Sequence, residues 1–190
     1  MDKELKNYII TRMTQDHIWG KKKKKIEGSI LECQCLYFDE LIKKNNIKNI
    51  LEIGFNYGNS TVNFLKNDNV KVLSFDLGRW GYEKYGKQFV DMHYPFKHIL
   101  ILGDSQKTIP EFDCNEKFDL IFIDGGHSYK CCKNDFNNTK KFAHENTIFV
   151  VDDTCGTKSY SKGPRKVIDE YHECGIIKDV EHFDNPKKTR

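Results

Sequence analysis

No stretch of this chain is apolar for anything near the roughly 20 residues that a bilayer-spanning helix needs. The first eight residues alternate charged and polar groups and lack the apolar centre of a secretory signal. The expectation is a soluble chain with no membrane partner. The seven cysteines form no C-x-x-C pair and no quartet with zinc-ligand spacing: Cys33 and Cys35, Cys131 and Cys132, and singles at Cys114, Cys155 and Cys174. An odd number of scattered thiols reads as free cysteines filling core space in a reducing compartment, so a cytoplasmic location is expected. No internal repeat or low-complexity domain is visible. Widespread basic charge is missing too. The net charge is +3, and Lys21, Lys22, Lys23, Lys24 and Lys25 contribute five positive charges, so the remainder stands at −2. A protein that grips long nucleic acid spreads positive charge over a face, which argues against that partner. The lysine run reads as a solvated loop.

What is present suits one compact domain. Hydrophobic residues make up 38% of 190 and aromatics 13%, enough to bury a core and to exclude wholesale disorder. From Asn49 onward, short runs that are β-branched or rich in Leu and Phe recur at residues 50–53, 70–75, 99–102, 120–123 and 148–151. Near-continuous apolar runs of this length predict strands buried on both faces of a parallel sheet. Helices are predicted between them over 60–66, 82–93, 128–142 and 164–173, with Pro164 at a permitted start and Gly175 as a C-terminal stop. Residues 176–183 read as one more strand. Ahead of the alternation, a short helix, the basic loop and a helix over 29–44 form an N-terminal helical extension. The expected architecture is a Rossmann-like three-layer αβα sandwich with a mostly parallel sheet, residues 46–190, preceded by the extension, residues 1–45.

Ligands in such sheets bind outside the carboxyl ends of the strands. Four of the five predicted ends carry an acid: Asp76, Asp104, Asp124, and the pair Asp152 and Asp153. The first strand instead holds Glu52 within it and is followed by Gly54-Phe-Asn-Tyr57-Gly58-Asn-Ser60. Glycines let this backbone approach a ligand. The spacing is not the G-x-G-x-x-G of a dinucleotide fold, and the preceding acid suits a cationic ligand group better than a pyrophosphate. That spacing argues against an NAD-dependent oxidoreductase.

These motifs resemble the class I S-adenosylmethionine-dependent methyltransferases over most of the chain from about Ile50 to Phe183. The resemblance implies that Glu52, Gly54 and Gly58 hold the amino-acid end of S-adenosyl-L-methionine, with Tyr57 and Ser60 of the same loop also expected at the cofactor. It gives Asp76 the ribose hydroxyls, and Gly103, Asp104 and Ser105 the adenine. The roles are chemically sound, because a carboxylate accepts paired hydrogen bonds from a vicinal diol or an exocyclic amine.

A second constellation follows the last strands. Asp124-Gly-Gly-His127-Ser-Tyr129 is followed by Asp135 on the next predicted helix and then by Asp152-Asp153. Neighbouring strand ends lie about 5 Å apart, so Asp124, Asp152 and Asp153 can converge. Clustered like charges call for a cation, and oxygen ligands favour Mg²⁺, Mn²⁺ or Ca²⁺ over zinc. This segment is similar to the metal-dependent O-methyltransferases that act on macrolide sugars and to their cephalosporin-hydroxylase-type relatives. The likeness implies Mg²⁺ (or Mn²⁺) on Asp124, Asp152 and Asp153, with Asp124 also at the cofactor and His127 as general base. That branch often has Glu-Asp where this chain has Asp152-Asp153. The expected acceptor is a sugar hydroxyl of a small molecule or glycan, with Tyr129 and Tyr160 as candidate ring-stacking groups. Two alternatives stand beside it: an RNA methyltransferase using Lys21 to Lys25, and a non-catalytic module that binds the cofactor or a partner. Homo-oligomerisation and membership of a longer multidomain chain stay open.

Overall fold

The computed structural model describes residues 2–16, 26, 28, 30–155 and 157–183. Two helices come first, α1 (Lys3–Gln15) and α2 (Glu32–Asn45). Strand and helix then alternate: β1 (Asn49–Ile53), α3 (Asn59–Leu65), β2 (Lys71–Asp76), α4 (Glu83–His93), β3 (His98–Leu102), α5 (Ser105–Glu111), β4 (Phe118–Ile123), α6 (Tyr129–Thr139), β5 (Ala143–Val151) and α7 (Lys162–Glu173). Among the described residues the sheet has five strands in the order β3-β2-β1-β4-β5, and every pairing is parallel. The chain enters at β1, builds outward to β3, then crosses over to β4. The strand order therefore reverses between β1 and β4, where such sheets open a crevice for a ligand.

Side-chain alternation along the strands explains the three layers. Ile50, Val72, Leu120 and Phe122 point to a cluster with α1, α2, α3 and α4. Leu51, Ile53, Leu73, Phe75, Ile121 and Ile123 point to the opposite cluster with α5, α6 and α7. The N-terminal helices are part of the first cluster. Leu5, Ile9 and Met13 of α1 are fully or almost fully buried. Phe38 of α2 meets Phe64 and Phe122 edge-on at 4.9 and 5.1 Å.

Residues 176–183 form no strand, contrary to expectation. The α7 terminus closes with Ile176 N donating to Tyr171 O at 2.8 Å and Gly175 in the left-handed region at φ 67°. Asp179 at φ 52° then breaks any extended run. Phe183 instead stacks on Tyr37 of α2, with ring centroids 4.8 Å apart. Helix α5 lies where no helix was expected, because it is seven residues long and carries Pro110 in its last turn. Asp104 caps it, its carboxylate accepting from Gln106 N at 3.0 Å. The lysine run at 21–25 falls outside the described residues, and no helix among those described is long and apolar enough to cross a membrane.

Candidate active site

Each strand hands the chain to its loop in register. Gly54 N donates to Phe75 O, Gly103 N to Asp76 O, Asp124 N to Ile53 O, and Asp152 N to Ile123 O, at 2.8 to 3.0 Å. The acids that follow the strands consequently stand along one edge. A cavity of about 730 Å³ opens there, lined by Asp76, Asp104, Asp124, Asp152 and Asp153 among others. Gly54 is required for its shape. A Cβ at this position, where φ is 100°, would lie 2.1 Å from the carbonyl oxygen of Asp124.

Asp76 receives backbone N–H groups from both neighbouring loops. Oδ2 accepts from Asn56 N at 2.6 Å and Oδ1 from Gly78 N at 2.8 Å. This pins the carboxylate while each oxygen keeps a lone pair for a ligand diol. Tyr57 and Ser60 line the cavity as expected, and burial raises the Tyr57 phenol to about 12. Three expected ligand residues are not on the cavity wall: Glu52, Gly58 and Gly103. Glu52 is fully buried. One of its oxygens accepts from Ser60 Oγ, and the other from Thr61 Oγ1 at 2.6 Å and Ser74 Oγ at 2.5 Å. Burial lifts its carboxyl above the usual range despite these three bonds. Its place is inside the β1–β2 layer, and it reaches the cavity through Ser60. Gly58 caps α3 behind the cavity wall, and Gly103 turns the chain from β3 into α5.

Two groups that sequence reading did not assign stand on the wall. Gln106 on α5 donates its Nε2 to Asp135 Oδ1 at 2.7 Å, and Ser105 Oγ donates to the same oxygen at 2.7 Å. Among the described residues, Gln106 Oε1 is buried and accepts no hydrogen bond. Asn59 Nδ2 is likewise buried with no acceptor. The one sequence signal was the Asp-Ser-Gln capping start of α5, which needs the unrecognised helix to be meaningful.

Across the cavity, Asp124, His127 and Asp153 each offer a ligand atom, and these atoms lie within 4.8 Å of one another. His127 Nε2 is 3.1 Å from Asp153 Oδ2. That hydrogen bond holds the imidazole above its ordinary pKa, partly offset by burial. Burial drives the Asp124 carboxyl well above the carboxylate range, and the charges of Asp152, Asp153 and Glu52 add to it. Asp153 takes a left-handed backbone at φ 54°, which turns its carboxylate toward His127. Asp152 lies on the same wall, but Oδ1 accepts from Asp153 N at 2.7 Å and from Gln34 Nε2 at 3.4 Å. The compact donor set is thus Asp124, His127 and Asp153, with Asp152 supporting the turn that carries Asp153. Tyr129 is not on the wall: its hydroxyl bonds Glu170 of α7 and accepts from Lys133 Nζ at 2.8 Å. Tyr160 sits beside His127, with ring centroids 5.5 Å apart.

A sheet ordered 3-2-1-4-5, with a glycine turn after β1 and an acid closing β2, is the class I methyltransferase arrangement. Residues 51–154 match the family model described as a methyltransferase domain, more than half of the chain, and the chain belongs to that family. It is a class I, S-adenosylmethionine-dependent methyltransferase. A search of curated proteins found no match. Solved structures share the fold at low identity. A putative caffeoyl-CoA O-methyltransferase from Staphylococcus aureus is 21% identical, with TM-score 0.63 over 90% of this chain and 88% of that one. An O-methyltransferase from Bacillus cereus, solved with S-adenosylhomocysteine, is 16% identical, with TM-score 0.65 over 91% and 80%. CalS11, a TDP-rhamnose 3′-O-methyltransferase of calicheamicin biosynthesis, is 16% identical, with TM-score 0.61 over 90% and 86%.

Proposed function

We propose that this chain methylates a hydroxyl of a sugar or small glycoconjugate, with a divalent cation assisting. The observation that carries the reading is the convergence of Asp124, His127 and Asp153 within 4.8 Å on the cavity that also holds Asp76. A methyl donor that is already activated needs no carboxylate–imidazole cluster, whereas a poorly acidic hydroxyl acceptor does. The family resemblance of the Asp124-to-Tyr129 segment supports the same acceptor class, as does the fold shared with a sugar O-methyltransferase.

The cavity wall fits the nucleoside cofactor. Asp76 presents carboxylate oxygens to a diol, and Asn59 Nδ2 is an uncommitted donor for a carboxylate. Gln106 Oε1 is an uncommitted acceptor for an amine. S-adenosylmethionine supplies a methyl group already activated on a sulfonium. The donor set of two carboxylates and an imidazole also fits a divalent cation, which lowers the pKa of a coordinated hydroxyl. Asp124 and Asp153 would hold it, with His127 adjacent.

His127 is the proton acceptor. With Nε2–H donated to Asp153, the neutral ring carries its lone pair on Nδ1, which takes the proton as the acceptor oxygen bonds to the methyl carbon and the carbon–sulfur bond breaks. Asp153 orients the ring, and the cavity holds the two reactants in line.

The test is methyl transfer from S-adenosylmethionine to a panel of free sugars, nucleotide sugars, phenols and amines, with and without EDTA. Turnover on sugar hydroxyls should vanish in EDTA and return with Mg²⁺ or Mn²⁺, while S-adenosylhomocysteine binding persists. Full activity in EDTA, or turnover confined to amines, would overturn the reading.

A further inference from the structure

Asp135 takes no part in the chemistry above, yet it is one of the most deeply buried charged groups in the protein. Only 1% of the residue is exposed. It projects from α6, and one carboxylate oxygen, Oδ1, gathers Ser105 Oγ and Gln106 Nε2, each at 2.7 Å. Both donors come from the first turn of α5, so the carboxylate ties the start of α5 to α6 at the inner wall of the cavity. A Cβ on Gly125 would lie 3.2 Å from the other oxygen, Oδ2. The glycine after Asp124 therefore leaves room for this carboxylate.

An ionised carboxylate accepts hydrogen bonds and donates none. The Gln106 amide must therefore turn its NH₂ toward Asp135, which directs Oε1 the opposite way. That oxygen is buried and, among the described residues, has no donor. A buried carbonyl left in this state is costly unless a ligand N–H reaches it. An amide free to flip would offer either an acceptor or a donor. One held by Asp135 offers an acceptor alone.

We propose that Asp135 is a positioning residue that locks the Gln106 amide with its oxygen toward the cavity, so that this wall selects a purine bearing an exocyclic amine over one bearing a carbonyl. The proposal rests on the cofactor reading above. A 6-aminopurine donates N–H to Oε1. A 6-oxopurine places oxygen against oxygen and leaves both without a donor. Burial pushes the Asp135 carboxyl up to about 6, which keeps the group largely ionised, and the lock in place, at pH 8.

The experiment measures binding of S-adenosylhomocysteine and of its deaminated analogue, S-inosylhomocysteine, by calorimetry at pH 8. Wild type should prefer the amino compound by about 10- to 100-fold, the range expected when a buried acceptor gains or loses its donor. Asp135→Asn is nearly isosteric but lets the facing amides adopt either orientation. It should cut the preference to roughly threefold or less, mainly by improving relative binding of the oxo compound. Gln106→Met should remove the preference as well, and adding Asp135→Asn to Gln106→Met should leave the ratio where it is. The ratio in Asp135→Asn separates positioning from folding, since a merely structural role would weaken both ligands equally and keep the wild-type ratio. The double variant shows whether Asp135 acts through Gln106. An unchanged ratio in Asp135→Asn, or a ratio in Gln106→Met that still equals wild type, would overturn the proposal alone. Wild type that binds neither compound would overturn the cofactor reading with it.

Discussion

His98 offers a stability measurement whose sign and size follow from the structure. It opens β3, is 5% exposed, and stacks on Phe55 with ring centroids 5.0 Å apart and planes 19° from parallel. Nε2 lies 3.0 Å from Ser74 Oγ, which itself donates to Glu52. The imidazole is therefore the donor in that contact, and it is the Nε2–H tautomer. Among the described residues Nδ1 is buried with no partner, so a second proton would have nothing to bond. Burial, with a smaller contribution from the Lys87 charge, lowers the pKa from 6.5 to about 3. The unfolded chain binds the proton more readily than the native one, so stability falls as pH drops below 6.5 and stops falling near 3. Each unit in that window is worth about 1.4 kcal/mol, so about 2 kcal/mol is lost by pH 5.

Other groups titrate there in the opposite sense, including Asp135, so the comparison must be against a variant. His98→Gln keeps an N–H for Ser74 Oγ and cannot take up the proton. Urea denaturation of both proteins at pH 8, 7, 6 and 5 should show the variant less stable at pH 8, where the lost ring stacking dominates. Its deficit should shrink by about 2 kcal/mol by pH 5. A gap between the two proteins that stays constant from pH 8 to 5 would refute the buried neutral imidazole.

Two further predictions separate structure from chemistry. Glu52→Gln should lower the melting temperature, because a carboxylate that accepts three hydroxyls becomes an amide with one acceptor oxygen, while S-adenosylhomocysteine affinity changes by less than about threefold. A tenfold loss of affinity at unchanged melting temperature would return Glu52 to the cofactor. His127→Ala should cost roughly 10²–10⁴-fold in kcat and remove the rise of rate with pH through the imidazole pKa, with cofactor affinity nearly unchanged. Because Asp153 raises that pKa above 6.5, the ion pair stabilises the metal-free fold below pH 6.5, and this contribution fades as pH climbs through the raised value. A variant that melts earlier yet turns over normally would make His127 structural.

Much of the fold was legible because the central strands β1, β2 and β4 are buried on both faces and read as nearly continuous apolar runs. The edge strand β3, by contrast, leaves Ile99 and Leu102 exposed. The runs ending at Ile53, Phe75, Leu102, Ile123 and Val151 all became neighbouring strands. Their acids arrived at one edge because parallel register aligns the carboxyl ends. What escaped notice depends on contacts between distant segments. Glu52 looked like a ligand from its spacing before the glycines, but its pairing partner in β2 is Ser74, and that register turns the carboxylate inward. Seven-residue α5 has too few turns for periodicity to show, and with it the Gln106–Asp135 contact was hidden. Tyr129 fell beside His127 in sequence, yet the helix it begins swings its hydroxyl to α7.

In the proposed reading, this cavity holds S-adenosylmethionine with its ribose on Asp76. Calorimetric titration of wild type and Asp76→Ala with S-adenosylhomocysteine tests it most directly. Wild type should bind at one site per chain, and the variant should lose about 1.5–3 kcal/mol, the scale of hydrogen bonds to a charged group. Equal affinity in the two proteins would contradict it.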